Sequence, residues 1–112
     1  MKKGEIYKGN NKKVKHRAVF LRVNDDESFI GAVLTHGTSK KYPENILMSP
    51  EHFVEGYEFK FDDTYLIGRS FTKPKDWGFF TKVGELTKAG INFVDRHIGN
   101  LPSRSWGDHF NS

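Results

Sequence analysis

The apolar residues of this chain change period once, and that change limits the folds open to it. As far as residue 83 they come in short runs, alternating or briefly continuous, separated by Gly, Asn, Asp and Pro. After Thr87 they recur at Ile91, Val94 and Ile98, with Ala89 and Phe93 widening the stripe. A period of two marks strands and a period near 3.6 marks a helix. The chain therefore reads as mostly β, ended by one amphipathic helix over 87–98. Thr87 can cap that helix and Gly99 can end it in the left-handed conformation. Gly90 in its first turn costs about 1 kcal/mol against Ala.

The β part divides at its turn residues. A short strand over 4–8 buries Ile6, and Gly9 to Lys13 has turn chemistry. Residues 16–23 set Val19, Leu21 and Val23 on one face and Ala18, Phe20 and Arg22 on the other. The acidic stretch 24–27 makes a hairpin loop. The returning strand, 28–35, carries Phe29, Ile30, Ala32, Val33 and Leu34, a run that predicts burial on both faces. Gly31 within it points to a bulge or bend. Further strands are expected over 45–48, 57–61, 64–72 and 77–83, with a turn at 49–53 capped by Ser49 and Pro50. The pattern predicts a small curled antiparallel sheet or SH3-like barrel, with the helix over one open edge. One domain is expected over 1–99. Residues 100–112 read as a polar tail in which Trp106 and Phe110 can dock on the sheet.

The 112 residues suit one domain, and the absence of cysteine excludes disulfides, thiolate metal sites and cysteine nucleophiles. No apolar run approaches the ~20 residues of a membrane span. The basic pair Lys2-Lys3 has no apolar core behind it, so no signal peptide is expected, and a cytoplasmic location fits. Net charge is +4 and unevenly placed. Residues 1–17 hold seven cations and one acid, whereas 51–63 hold five acids and one lysine. A basic lobe of that kind collects polyanions, nucleic acid among them.

Motifs narrow the chemistry. His16, His36, His52, His97 and His109 show no metal-ligand spacing. Glu58-Phe59-Lys60 echoes the Glu-x-Lys of metal-dependent nucleases, but the triplet is common and reads better as an exposed strand edge. There is no phosphate-binding glycine loop, dinucleotide fingerprint or serine-hydrolase elbow, so no cofactor is expected. The productive constellation lies at two strand ends. Arg17 opens the second strand, Thr35 closes the third, and His36 follows. A hairpin at 24–27 places position 17 opposite position 35, within about a residue. Taken singly, these are ordinarily a surface cation, a strand-end threonine and a loop histidine. Cleaving RNA without metal requires little more than the three together. The RNA brings its own nucleophile, the 2′-hydroxyl, and the protein must align it and stabilise charge on the phosphoryl oxygens. A guanidinium offers a fixed fork of donors, a threonine hydroxyl adds one, and a histidine or the arginine itself can protonate the leaving oxygen. Lys12, Lys13 and Lys15 would hold the RNA backbone, while Tyr42 and Trp77 would stack bases.

Gly4-Glu5-Ile6, Lys15-His16-Arg17-Ala18-Val19 and Gly31-Ala32-Val33-Leu34-Thr35 together resemble MazF/PemK-type toxin endoribonucleases. That family opens with Gly-Asp-Ile/Val, starts its next strand with Arg and ends its third with an apolar-Thr signature. The stretch 63–72 and Gly84-Glu85-Leu86-Thr87 resemble its later strand and the lead-in to its C-terminal helix. The resemblance implies a MazF/CcdB-like barrel, usually a homodimer, that cuts single-stranded RNA and is neutralised by a cognate antitoxin. It implies catalytic roles for Arg17 and Thr35. Three departures stand out: Arg17-Ala18 replaces Arg-Pro, the first loop is shorter than usual, and His36-Gly37-Thr38-Ser39-Lys40 replaces a simpler Thr-Ser continuation. Toxins of this fold that are silenced by RNA antitoxins use Thr, Ser and Lys nearby, so Thr38, Ser39 and Lys40 are a rival placement of the site. The competing functions are a non-catalytic barrel that binds RNA or protein through its basic lobe, and a gyrase-poisoning toxin.

The basic loop supplies a first test. Replacing Lys12, Lys13 and Lys15 together with Gln should flatten the log–log salt dependence of single-stranded RNA binding by roughly two units, at about −0.7 per lost phosphate contact. A parental slope in the triple variant would move the RNA path away from this loop.

Overall fold

The computed structural model describes residues 2–9, 17–23, 29–36, 40–73, 80–98 and 104–105. Its strands are β1 (Glu5–Gly9), β2 (Arg17–Val23), β3 (Phe29–Thr35), β4 (Asn45–Leu47), β5 (Tyr65–Lys73), β6 (Phe80–Glu85) and β7 (Arg104–Ser105). A 3-10 turn spans Pro50–His52, and the helix α1 spans Lys88–Ile98. The strands form one sheet in the order β4-β5-β3-β2-β1-β6, antiparallel throughout, with β7 added parallel to β5 at Phe71 and Thr72. The tail thus contributes backbone to the sheet at 104–105, while Trp106, Phe110 and the helix-ending Gly99 lie outside the described residues.

The central strand is buried on both faces, as its apolar run requires. Ile30, Ala32 and Leu34 join the larger core cluster, and Val33 joins a second with Ala18, Ile67 and Phe71. Between the pairs Phe20↔Gly31 and Arg22↔Ile30, β2 carries one extra residue, Leu21. This bulge lies where Gly31 predicted one; a Cβ there would meet the Val19 carbonyl oxygen at 2.8 Å. The bulge also corrects an expectation. Val19 and Leu21 enter the core, but Val23 is 68% exposed, because the extra residue breaks the alternation before the strand ends.

Ile6, Val19, Leu34, Leu66 and Val83 come from β1, β2, β3, β5 and β6, yet they share one cluster. A sheet that feeds one core from β5 round to β6 must curl. The outer edge of β6 is covered by the chain that follows the 3-10 turn. Val54 N–H donates to the Glu85 carbonyl at 2.9 Å, and Phe59 N–H donates to that of Val83 at 2.7 Å. Residues 57–61 were expected as a strand and form none. Their alternation reflects aromatic packing instead: Phe59 and Phe61 lie 5.3 and 5.9 Å from the Phe53 ring.

The helix begins as its cap predicts. Thr87 Oγ1 accepts the Gly90 N–H at 3.2 Å, and Thr87 O accepts the Ile91 N–H at 2.9 Å. Val94 and Ile98 are buried, whereas Ala89, expected on the inner stripe, is exposed. Gly90 takes its place against the 3-10 turn, where a Cβ would lie 2.3 Å from the His52 carbonyl oxygen. His52 is buried beneath Phe93, with ring centroids 4.4 Å apart, and its Nδ1 accepts the Ser49 N–H at 3.1 Å. Burial pushes the His52 imidazole down from its usual range.

A polar web ties the chain start to β6. Glu5, only 9% exposed, takes Lys82 Nζ at 2.7 Å, the Tyr7 hydroxyl at 2.8 Å and the Lys2 backbone N–H. The Lys82 contact leads in holding the Glu5 carboxyl down at about 2, while burial and then Glu5 push Tyr7 up to about 12. The Tyr57 hydroxyl donates to Glu85 at 3.1 Å, and Lys82 lies 5.1 Å above the Tyr57 ring.

Two stability outcomes follow from these contacts. Gly90→Ala should raise intrinsic helix propensity yet lower stability by roughly 1–3 kcal/mol, because the new methyl overpacks the His52 carbonyl. A urea titration showing stabilisation would contradict that contact. Glu5→Gln should lower stability at neutral pH by about 1–3 kcal/mol. Because the folded Glu5 carboxyl is depressed from 4.5 to about 2, its contribution is present above pH 4.5 and lost as pH falls towards 2. Melting curves of parent and variant should therefore converge across that window.

Candidate functional site

Arg17 is the first residue of β2 and stands opposite Lys8 on one side and Leu34 on the other. Thr35 ends β3 opposite Tyr65, and the exposed His36 follows it. The hairpin register is thus within one residue of the pairing expected between 17 and 35. Arg17, Thr35 and His36 share the rim of one open cleft of about 410 Å³.

The other side of that cleft comes from the chain between the 3-10 turn and β5. Glu58, Phe59, Lys60, Asp62 and Thr64 line it, with Val83 of β6 beneath. Phe59 is fixed by its backbone bond to Val83, and the residues flanking it, Glu58 and Lys60, are exposed. Thr64 is buried, and its Oγ1 accepts the Asp62 N–H at 3.3 Å where the chain turns into β5. Glu58-Phe59-Lys60 had read as an exposed strand edge; Glu58, Lys60 and Asp62 instead join the candidate site. No local signal marks them, since their place depends on a backbone bond to a carbonyl 24 residues further along the chain.

The charges are mixed. Lys8 faces Arg17 directly across the β1–β2 ladder, and like charges so placed repel. Glu58 Oε1 lies 3.8 Å from Lys8 Nζ and offsets that repulsion. Arg17, His36 and Lys60 thus share the cleft with Glu58 and Asp62. Chemically, this set offers a guanidinium and a hydroxyl to a phosphate, together with groups able to give and take protons. Among the described residues no group of three or more His, Cys, Asp or Glu is placed to hold a metal ion.

The remaining candidates lie elsewhere. Lys40 and Tyr42 are exposed in the turn before β4, outside the cleft lining, and Lys41 Nζ lies 5.4 Å from the Tyr42 ring centroid. Lys12, Lys13, Lys15, Thr38, Ser39 and Trp77 lie outside the described residues. A second groove of about 460 Å³, lined mainly by Phe53, Phe61 and Pro50, shares Phe59 and Lys60 with the first. Among the described residues, no helix is long and apolar enough to cross a membrane. In comparisons with known proteins, the chain matches no protein-family model, no curated protein and no solved structure.

Proposed function

We propose that this protein is a toxin-type endoribonuclease that cuts single-stranded RNA without a metal ion. The observation that carries this reading is the convergence of Arg17, Thr35 and His36 on one cleft, beside Lys60. Each side chain has a part in attack by the substrate's own 2′-hydroxyl. The Arg17 fork holds the non-bridging phosphate oxygens, where negative charge grows in the transition state. The Thr35 hydroxyl adds a donor to the same oxygens. His36 protonates the departing 5′-oxygen as general acid. The products are a 2′,3′-cyclic phosphate and a free 5′-hydroxyl.

The curled antiparallel sheet with its C-terminal helix is compatible with the SH3-like barrel of MazF/PemK-type toxins, and that finer fold is part of the proposal. With it come a cognate antitoxin of protein or RNA, action in the cytoplasm and a homodimeric assembly.

The test uses a purified chain and a short single-stranded RNA in excess chelator. Cleavage should persist there, and a substrate with deoxyribose at the cut position should bind but stay whole. Arg17→Ala should lower kcat by about 100- to 1,000-fold, the usual effect of removing a donor to transition-state charge. Its melting temperature, measured beside the rate, separates lost chemistry from lost folding. Thr35→Ala should weaken cleavage less. Full activity in Arg17→Ala would remove the reading, and loss of activity in chelator would redirect it to a metal nuclease built on Glu58 and Lys60.

A further inference from the structure

The cleft carries acids as well as cations, and holding a phosphate does not call for acids. We propose that Glu58 is the general base of the site, a role that rests on the endoribonuclease reading above. Glu58 is exposed, but the residues on both sides of it are anchored, one by its side chain and one by its backbone. Before it, the Tyr57 hydroxyl donates to Glu85 at 3.1 Å; after it, the Phe59 N–H donates to the Val83 carbonyl at 2.7 Å. Both anchors are on β6, so the carboxylate is carried on a braced segment and not on a free loop. Its oxygen lies 3.8 Å from Lys8 Nζ, and Lys8 is the direct cross-strand neighbour of Arg17. The carboxylate therefore contacts the residue paired with Arg17, and both Glu58 and Arg17 line the cleft.

In-line displacement at phosphorus places the attacking 2′-oxygen and the departing 5′-oxygen on opposite sides. One group must take a proton on the first side and another must give one on the second. The cleft supplies these from different stretches of chain, Glu58 from the segment after the 3-10 turn and His36 from the end of β3. The step balances. The 2′-hydroxyl proton passes to the Glu58 carboxylate as the 2′-oxygen bonds to phosphorus. The bond from phosphorus to the 5′-oxygen breaks, and that oxygen takes a proton from the His36 imidazolium. Glu58 ends protonated and His36 neutral, and exchange with solvent resets both. The Lys8–Glu58 pair does not bar this, because its side chains are 39% and 67% exposed and an ion pair of that kind is readily exchanged for a substrate contact. Asp62 is the other acid of the cleft; its backbone N–H donates to Thr64 Oγ1 at 3.3 Å where the chain turns into β5, whereas Glu58 is the acid that contacts Lys8.

The experiment compares the parent, Glu58→Gln and Glu58→Asp on a short single-stranded oligoribonucleotide in chelator, across acid to neutral pH. Glu58→Gln should lower kcat by about 100- to 10,000-fold with little change in KM. Its residual rate should lose the fall towards low pH that titration of a base produces in the parent. Glu58→Asp keeps a carboxylate and should keep that low-pH limb at a reduced rate. Matching melting curves for all three, expected at so exposed a position, separate chemistry from folding. Three results overturn the assignment. A parental rate and low-pH limb in Glu58→Gln would place the base elsewhere and leave the endoribonuclease reading standing. A raised KM with unchanged kcat would make Glu58 a positioning residue for Lys8 and Arg17. A parent chain that cuts no RNA would remove both proposals together.

Discussion

An outer strand leaves a row of backbone groups without ladder partners, and the covering of that row at β6 is the constraint on which the rest of this structure depends. The chain between the 3-10 turn and β5 supplies the cover through Val54 and Phe59, bonded to the Glu85 and Val83 carbonyls. The same segment starts from β4, which lies at the opposite end of the strand order. The sheet therefore curls until one segment can serve both ends, and its inner residues meet in one cluster. Burying Phe59 against Phe53 turns an irregular stretch into a fixed wall. The cleft exists because that wall stands across from the ends of β2 and β3.

The helix holds the start of the wall. The Thr87 N–H donates to the His52 carbonyl at 2.9 Å, and the Thr87 hydroxyl donates to the Glu51 carbonyl at 2.7 Å. One residue thus caps α1 and pins it to the 3-10 turn. Gly90 permits the close approach that both bonds need, so its propensity cost is offset by contact with the turn. Further along, Lys82 touches Glu5 and lies within 4.0 Å of Glu85, which in turn accepts from Tyr57. Stability and site geometry are linked here, since these contacts bracket the residues that line the cleft.

Much of the fold was legible in local pattern. Alternation and turn residues located β2 and β3, and because these strands are consecutive, their pairing placed Arg17 beside the end of β3 to within one residue. The shift to a helical period located α1, and Thr87 caps it as its position suggested. The errors share one origin. Val23 and Ala89 had been assigned to buried faces from periodicity, and a bulge and a crowded helix–turn contact moved them out. The alternation at 57–61 is real, but it records aromatic side chains packing inward and not a strand in a ladder.

By itself the sequence located β2, β3 and the start of α1, and it brought Arg17 to the end of β3 where Thr35 and His36 lie. These follow from side-chain period, capping chemistry and a hairpin between neighbouring strands, all of which act over short stretches of chain. Only the tertiary structure decided that Glu58, Lys60 and Asp62 face that rim. Their place comes from satisfying a carbonyl of β6 and burying an aromatic ring against a distant part of the core. No local period records a pairing between segments so far apart. The choice is made when the sheet closes and the edge of β6 takes a partner that buries apolar surface and pairs its backbone groups.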